Sequence, residues 1–399
     1  MKRIMLSVVV LLGMVLLTGC VMEAPFHGFI VQVVDLEGTV LFEEEVIVNI
    51  DDDRTLYDML EEAIDLDVQV FDGLGVFING LAGFYPREHG VTFNYWFALH
   101  VDGAPSSTGI SDLAFTDGMV ITFVESTMLD EFDQQVDRVI GLLMDVQLER
   151  YLEANVIDHH VAAALALLVT HGYDVPPAFT ALTGAVPDML DALGTETIAS
   201  AFKAYVIGQA FGVDVDDIVT AMTALTATHV YDATVLLMMM GLTHADPSLT
   251  APLLDMLLTE LPAFMDADYA GMLIMALTFF AGDPDVDARI DEMVTYILDR
   301  QEAEGIVSWG TANAASTAQA VLALLALGLD PRGEHATVDN TDLIEALLAF
   351  ETEGAFRWSL TSEDADFAFS TPQAFAALAV YKIYRDTWGN PAVHLFVNA

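Results

Sequence analysis

Apolar residues along this chain follow two rhythms. Up to about residue 127 they come in short Val- and Ile-rich bursts, Phe29 to Val34 and Val40 to Ile50, which predict strands. Thr55 then precedes Leu56, Met59 and Leu60, which share one helical face, so a capped helix is predicted through Ala63. Further extended runs are predicted around Gly73 to Gly80, Tyr95 to Val101 and Gly118 to Val124, with Asp102-Gly103 and Asp117-Gly118 as turn signals. From Met128 onward the rhythm lengthens. Val161 to Val169, Thr234 to Leu242, Met272 to Phe280 and Ala318 to Leu329 are apolar on nearly every side, and Gly, Pro and Asp separate them. Such helices belong in the middle of a large all-α assembly, with amphipathic partners such as Asp285 to Arg300 outside. None of them approaches the roughly 20 residues of a membrane-spanning helix.

An internal repeat strengthens the helical reading. Gln301 to Gly310 aligns with Phe350 to Ser359 through a shared Glu-x-Glu-Gly-x-x-x-Trp, and each copy is followed by Ser-Thr-x-Gln-Ala, at Ser316 to Ala320 and Ser370 to Ala374. The two serines are expected to cap the helices that follow, at a period of about fifty residues. A weaker echo places Gly241, Gly282 and Gly328 shortly before Asp246-Pro247, Asp283-Pro284 and Asp330-Pro331, as helix ends are placed.

The start of the chain carries an address. Lys2 and Arg3 precede an apolar run from Ile4 to Leu17 that ends in Leu17-Thr18-Gly19-Cys20. This is the pattern of a secretory signal with a bacterial lipobox, so residues 1–19 are expected to be removed and Cys20 to be lipidated. The protein is then extracytoplasmic and lipid-anchored to the cell membrane. Its composition changes little else but excludes much. The chain of 399 residues has 60 Asp and Glu against 13 Lys and Arg, a net charge of −47, which loss of Lys2 and Arg3 takes to −49. Nucleic acid is excluded as a partner for want of a basic face. Cys20 is the only cysteine, which excludes disulfides, a cysteine nucleophile and Cys-ligated zinc.

Two stretches resemble known families. The Thr55-Leu-x-x-x-Leu60 helix, the Gly75-x-Phe-Ile-x-x-Leu81 strand with its Gly80, the Tyr95-Trp-Phe-x-x-x-Val-Asp-Gly103 hairpin and Gly109-Ile-Ser-Asp-Leu-x-Phe-x-Asp-Gly118 look like a small α+β, ubiquitin-like β-grasp module (residues 20–127). Modules of this kind form the C-terminal domain of transcobalamin and intrinsic factor and recur in bacterial surface proteins. Residues 128–399, with their Glu-Gly-Trp turns and Ser-Thr-x-Gln-Ala helix starts, resemble the all-α α/α toroids built of repeated helical hairpins. That family includes terpene cyclases, prenyltransferase β-subunits, complement thioester domains and the large domain of the cobalamin carriers. The pairing of modules implies capture of a corrinoid (cobalamin-like) or similar large amphipathic ligand between the two domains, although here the β-grasp module comes first.

No catalytic motif stands out in the sequence. Asp214-Val-Asp-Asp217 matches the acid motif of squalene-type cyclases but has Ile218 where threonine is usual, and a chance match is common in so acidic a chain. Asp283-x-Asp285-x-Asp287 starts like a calcium loop but lacks its glycine and its final glutamate. Glu363, Asp364 and Asp366 could line a central funnel. The reading is therefore non-catalytic binding without a required cofactor or metal. The resemblance implies a ligand covered by Tyr95, Trp96 and Phe97 on one side and by Trp309, Gln319, Trp358 and Gln373 on the other. His171 and His244, among the seven histidines of the helical part, are candidate cobalt ligands, since neutral imidazole binds such ions. A surface adhesion or scaffold protein, which would take another surface protein as partner, and a toroid enzyme acting on polysaccharide or terpenoid are the rival classes.

Overall fold

The computed structural model describes residues 27–48, 54–71, 75–154, 156–387 and 392–397. The signal segment, Cys20, Asp51 to Asp53, Gly73 and Leu74 lie outside the described residues. The chain divides into two compact units after Met128: an α+β unit with a mixed sheet, then a helical unit. No helix among the described residues is long and apolar enough to cross a membrane.

In the first unit, β1 (Gly28–Val34), β2 (Val40–Ile47), α1 (Leu56–Ala63), β3 (Leu66–Phe71), β4 (Gly75–Leu81), β5 (Tyr95–Val101), β6 (Ala104–Pro105) and β7 (Val120–Thr127) follow in order. The sheet runs β2-β1-β7-β5-β6, with β1 parallel to β7 and the other neighbours antiparallel, while β3 and β4 form a separate hairpin. Alternation decides what is buried: Phe29, Val31 and Val33 of β1 and Ile121 and Phe123 of β7 face the core, where Leu56, Met59 and Leu60 of α1 meet them. Thr55 caps α1 in a reciprocal box with Asp58. Asp102 and Gly103, both at positive φ, make the β5–β6 turn as predicted. Asp117-Gly118 does not join two paired strands; it turns the chain into β7, and the Asp117 carboxylate accepts the Gly28 N–H at 2.9 Å.

The helical unit comprises α2 (Glu131–Ala154), α3 (His159–Thr170), α4 (Pro177–Ala181), α5 (Val186–Leu193), α6 (Ile198–Ala210), α7 (Asp216–Thr223), α8 (Val230–Leu242), α9 (Pro247–Thr259), α10 (Ala267–Leu277), α11 (Pro284–Leu298), α12 (Ala314–Ala326), α13 (Leu343–Leu348) and α14 (Ser370–Asp386). Their packing is serial. Helix α3 lies on α6, α6 on α8, α8 on α10, α10 on α12, α12 on α14, and α14 returns to α3. These six are the helices that are buried on most sides; every residue of α12 is buried. The others pack outside: α11 buries the single stripe Val286, Ile290, Met293 and Ile297 against α10, and α9 does the same against α8.

The repeat has a physical cause. Each Glu-x-Glu-Gly segment is a tight hairpin, β8 (Gln301–Glu302) with β9 (Gly305–Ser308), and, beyond the short pairs β10 (Thr311–Ala312) with β9 and β11 (Thr337–Val338) with β12 (Thr341–Asp342), again β13 (Glu351–Thr352) with β14 (Ala355–Phe356). The threonine of each Ser-Thr pair holds its hairpin to the next helix: Thr317 Oγ1 accepts from Ile306 N at 3.0 Å, and Thr371 Oγ1 from Phe356 N at 2.9 Å. The expected serine caps are corrected. Asn313 caps α12, and Asp366 takes the Ser370 N–H and hydroxyl, because both helices begin earlier than their apolar runs. Asp246 and Asp283 cap α9 and α11 with proline at the next position.

Two close contacts set the geometry. A Cβ on Gly271 of α10 would lie 2.7 Å from Cγ and 3.0 Å from the carbonyl oxygen of Gln319 on α12. Gly271→Ala is therefore expected to destabilise the helical unit by ~1–3 kcal/mol through overpacking, read as a lowered Tm, with Gln319 displaced. The other is a polar seam, where Lys382 of α14 reaches Asp137 of α2 at 2.8 Å and Asp386 at 3.3 Å, Arg385 reaches Asp137 at 2.9 Å, and Tyr381 bonds Asp133 at 2.8 Å.

Candidate functional site

A cavity of about 250 Å³ in the helical unit is lined by residues from all six serially packed helices. Its apolar wall is Phe202 of α6, Val235 and Met238 of α8, Met272 and Met275 of α10, with Phe369 and Phe396. Its polar groups are Asp158, His159 and His160 at the start of α3, Lys203 of α6, Asp268 of α10, Gln319 of α12 and Gln373 of α14. The two glutamines occupy equivalent positions of the repeat on neighbouring helices, so the repeat delivers two amides to one cavity.

One of these polar groups is unsatisfied. Nε2 of the buried Gln319 has no hydrogen-bond partner among the described residues. Buried polar atoms normally have one, so such a group beside a cavity asks for a ligand. Burial raises the Asp268 carboxyl above the ordinary aspartate range, and the nearby charge of Asp266 adds to this, while the Ser316 hydroxyl and Trp309 indole act against it. At the start of α3, Asp158 Oδ1 accepts the His160 N–H at 2.8 Å and so caps the helix. Burial alone would raise Asp158, yet the two imidazoles beside it hold it well below the usual carboxylate range. Burial drives His159 down to about 4, aided by His160 and Lys203, so its imidazole is neutral at pH 7. Phe396 stacks on His159 with parallel planes and stands edge-on to Phe202.

No family model and no curated protein matches this chain. Of the residues singled out from the sequence, Gln319 and Gln373 meet in the cavity. Trp309 is 60% exposed against Phe264, outside the cavity lining, and Trp358 is exposed. His171 ends α3 exposed; His244 is exposed past α8 and lines a separate, smaller cavity with Gln209 and Phe279. In the first unit, Tyr95 and Trp96 line a groove of about 540 Å³ with Phe71, Phe77 and Phe93, whereas Phe97 sits in the core, edge-on to Phe123. Glu363 and Asp364 are exposed, Asp366 accepts the Ser370 N–H at the start of α14, and the Asp214 carboxylate bonds Asp216 N at the start of α7. None of these acids lines the cavity. Sequence reasoning passed over Asp158, Lys203 and Asp268 as site residues and preferred His171 and His244 to His159 and His160. The available signal was the pair of adjacent histidines after a helix-capping aspartate, and a lysine in a chain that has so few.

Proposed function

We propose that this chain is a non-catalytic binding protein, exported and lipid-anchored through Cys20. Its first unit is read as a β-grasp module, supported by the β2-β1-β7-β5 order with its parallel central pair. Its second is read as an α/α toroid, supported by six helices that pack in series and close on themselves. The observation that carries the binding role is the cavity to which all six helices contribute, with a Met- and Phe-rich wall and the unpaired Gln319 amide. That combination suits an amphipathic ligand whose apolar body enters and whose rim offers amide or carbonyl groups. A corrinoid has such a rim of amides, and the cavity volume takes one edge of it, the remainder lying at the mouth.

The test is a calorimetric titration of residues 21–399 with cobinamide and with cobalamin. One-to-one binding is expected, and Gln319→Leu is expected to weaken it by about three- to tenfold, the worth of one hydrogen bond. No heat with either compound removes the corrinoid reading. The adhesion reading then leads, favoured by the aromatic groove of the first unit, where Phe93 is 86% exposed.

A further inference from the structure

The geometry points to a divalent transition-metal site formed by Asp158, His159 and His160 at the cavity wall. One ligand atom from each of the three falls within 4.8 Å of the others. His160 Nδ1 is 3.2 Å from Asp158 Oδ1, and His159 Nδ1 is 3.5 Å from Asp158 Oδ2. Ligands held at about 2.0–2.2 Å from one zinc-like ion are separated from each other by about 3.0–3.5 Å, so the observed spacing is that of a ready coordination edge. Helix capping explains only part of this arrangement. It accounts for Asp158 Oδ1 and its bonds to the N–H and Nδ1 of His160. It leaves His159 beside Oδ2 at a separation long for a hydrogen bond.

The rings are also fixed in advance. Their centroids are 4.1 Å apart, and both pack against Phe396, at 6.4 Å for His159 and 6.1 Å for His160. Ligation therefore costs little further ordering. Two imidazole nitrogens with one carboxylate select zinc, cobalt(II) or iron(II) over magnesium and calcium, which prefer all-oxygen sites. The carboxylate offsets part of the ion's charge, and Lys203 on the same wall adds a positive charge that a bound anion would balance. Three protein ligands leave a coordination position open, and because the triad lines the cavity, that position is where a donor atom of the cavity's occupant binds. The site stands on its own residues and does not depend on the identity of the amphipathic ligand.

The experiment uses the metal alone. Residues 21–399 are titrated with Co²⁺ in a large excess of Mg²⁺, which saturates surface carboxylates and leaves imidazole sites free. One equivalent of Co²⁺ with visible d–d absorption is expected, and His159→Gln and His160→Gln should each weaken it by at least ~10-fold with the thermal transition in chelator unchanged. X-ray absorption of the zinc-loaded wild type needs no variant and should show imidazole nitrogen in the first shell. An all-oxygen shell, absence of the visible bands under Mg²⁺, or equal binding by both variants overturns the site. None of these outcomes bears on whether an organic ligand binds.

Discussion

Replacing Lys382 by methionine is expected to lower the unfolding free energy of the helical unit by ~3–5 kcal/mol, measured by urea denaturation followed by far-UV circular dichroism. Lys382 is 4% exposed and lies between Asp137 and Asp386, while Arg385 shares both of those carboxylates and Tyr173 bonds Asp386 at 2.7 Å. Methionine keeps the length of the stem but removes the charge, so two largely buried carboxylates lose one of the two cations they share. The cost comes from the charges left uncompensated, since a well-packed apolar substitute for the whole network could be neutral. Arg138 on the same helix as Asp137 is exposed, and Arg138→Met should change stability by less than ~0.5 kcal/mol. Equal losses in the two variants would mean that charge count, and not burial at the seam, sets the effect.

Acid should also weaken this unit well above the carboxylate range. His394 Nδ1 accepts the Phe396 N–H at 3.2 Å and its Nε2 lies 3.1 Å from the Met275 carbonyl, so both ring nitrogens are satisfied only in the neutral Nε2–H tautomer. Burial lowers its pKa to about 4, and the bond to Met275 opposes this without reversing it. The sign follows: in the unfolded chain the imidazole takes up a proton near its ordinary value of ~6.5, while the folded chain refuses it until about 4. The stabilisation is full above the unfolded value and is lost as pH falls through that window, by up to ~3 kcal/mol. Asp133 and Asp268, both raised by burial, titrate with the opposite sign, so the measurement is the difference between wild type and His394→Gln. The two stability profiles should converge on acidification from pH 7 to 4; parallel profiles would show that His394 is not buried neutral.

What could be read from the residues was largely periodicity. The alternation of Phe29, Val31 and Val33 and the unbroken apolar run of Ala320 to Leu325 announced a sheet and a set of inner helices, because burial pattern is written directly in such spacing. The repeat was legible too, and it named Gln319 and Gln373, since one local structure copied twice aims the same side chain the same way. Helix starts were less legible. The first turns of α3, α8 and α10 carry His159-His160, Tyr231-Asp232 and Asp268, polar residues that look like loop but lie inside the helix after a cap. The cavity's remaining polar groups stayed hidden for the same reason: Asp158 and Asp268 are two among 60 acids, and only tertiary packing separates those two from the solvated majority. Strand alternation placed Tyr95, Trp96 and Phe97 on different sides but could not say which side was wet, and Phe97 went to the core.

The return of α14 onto α3 has a consequence for how the unit is made. These helices lie some two hundred residues apart in the chain, and Tyr173 near the end of α3 bonds Asp386 at the end of α14 across 213 positions. A series that closes through such distant partners has a high contact order, so its last contact forms late and carries the largest loop-closure cost. Until Ser370 to Asp386 are in place, the flanks of α3 and α12, apolar on nearly every side, have nothing to cover them. A chain cut or stalled before that point exposes two sticky edges at once, which makes it prey for aggregation and proteolysis and no smaller version of the protein.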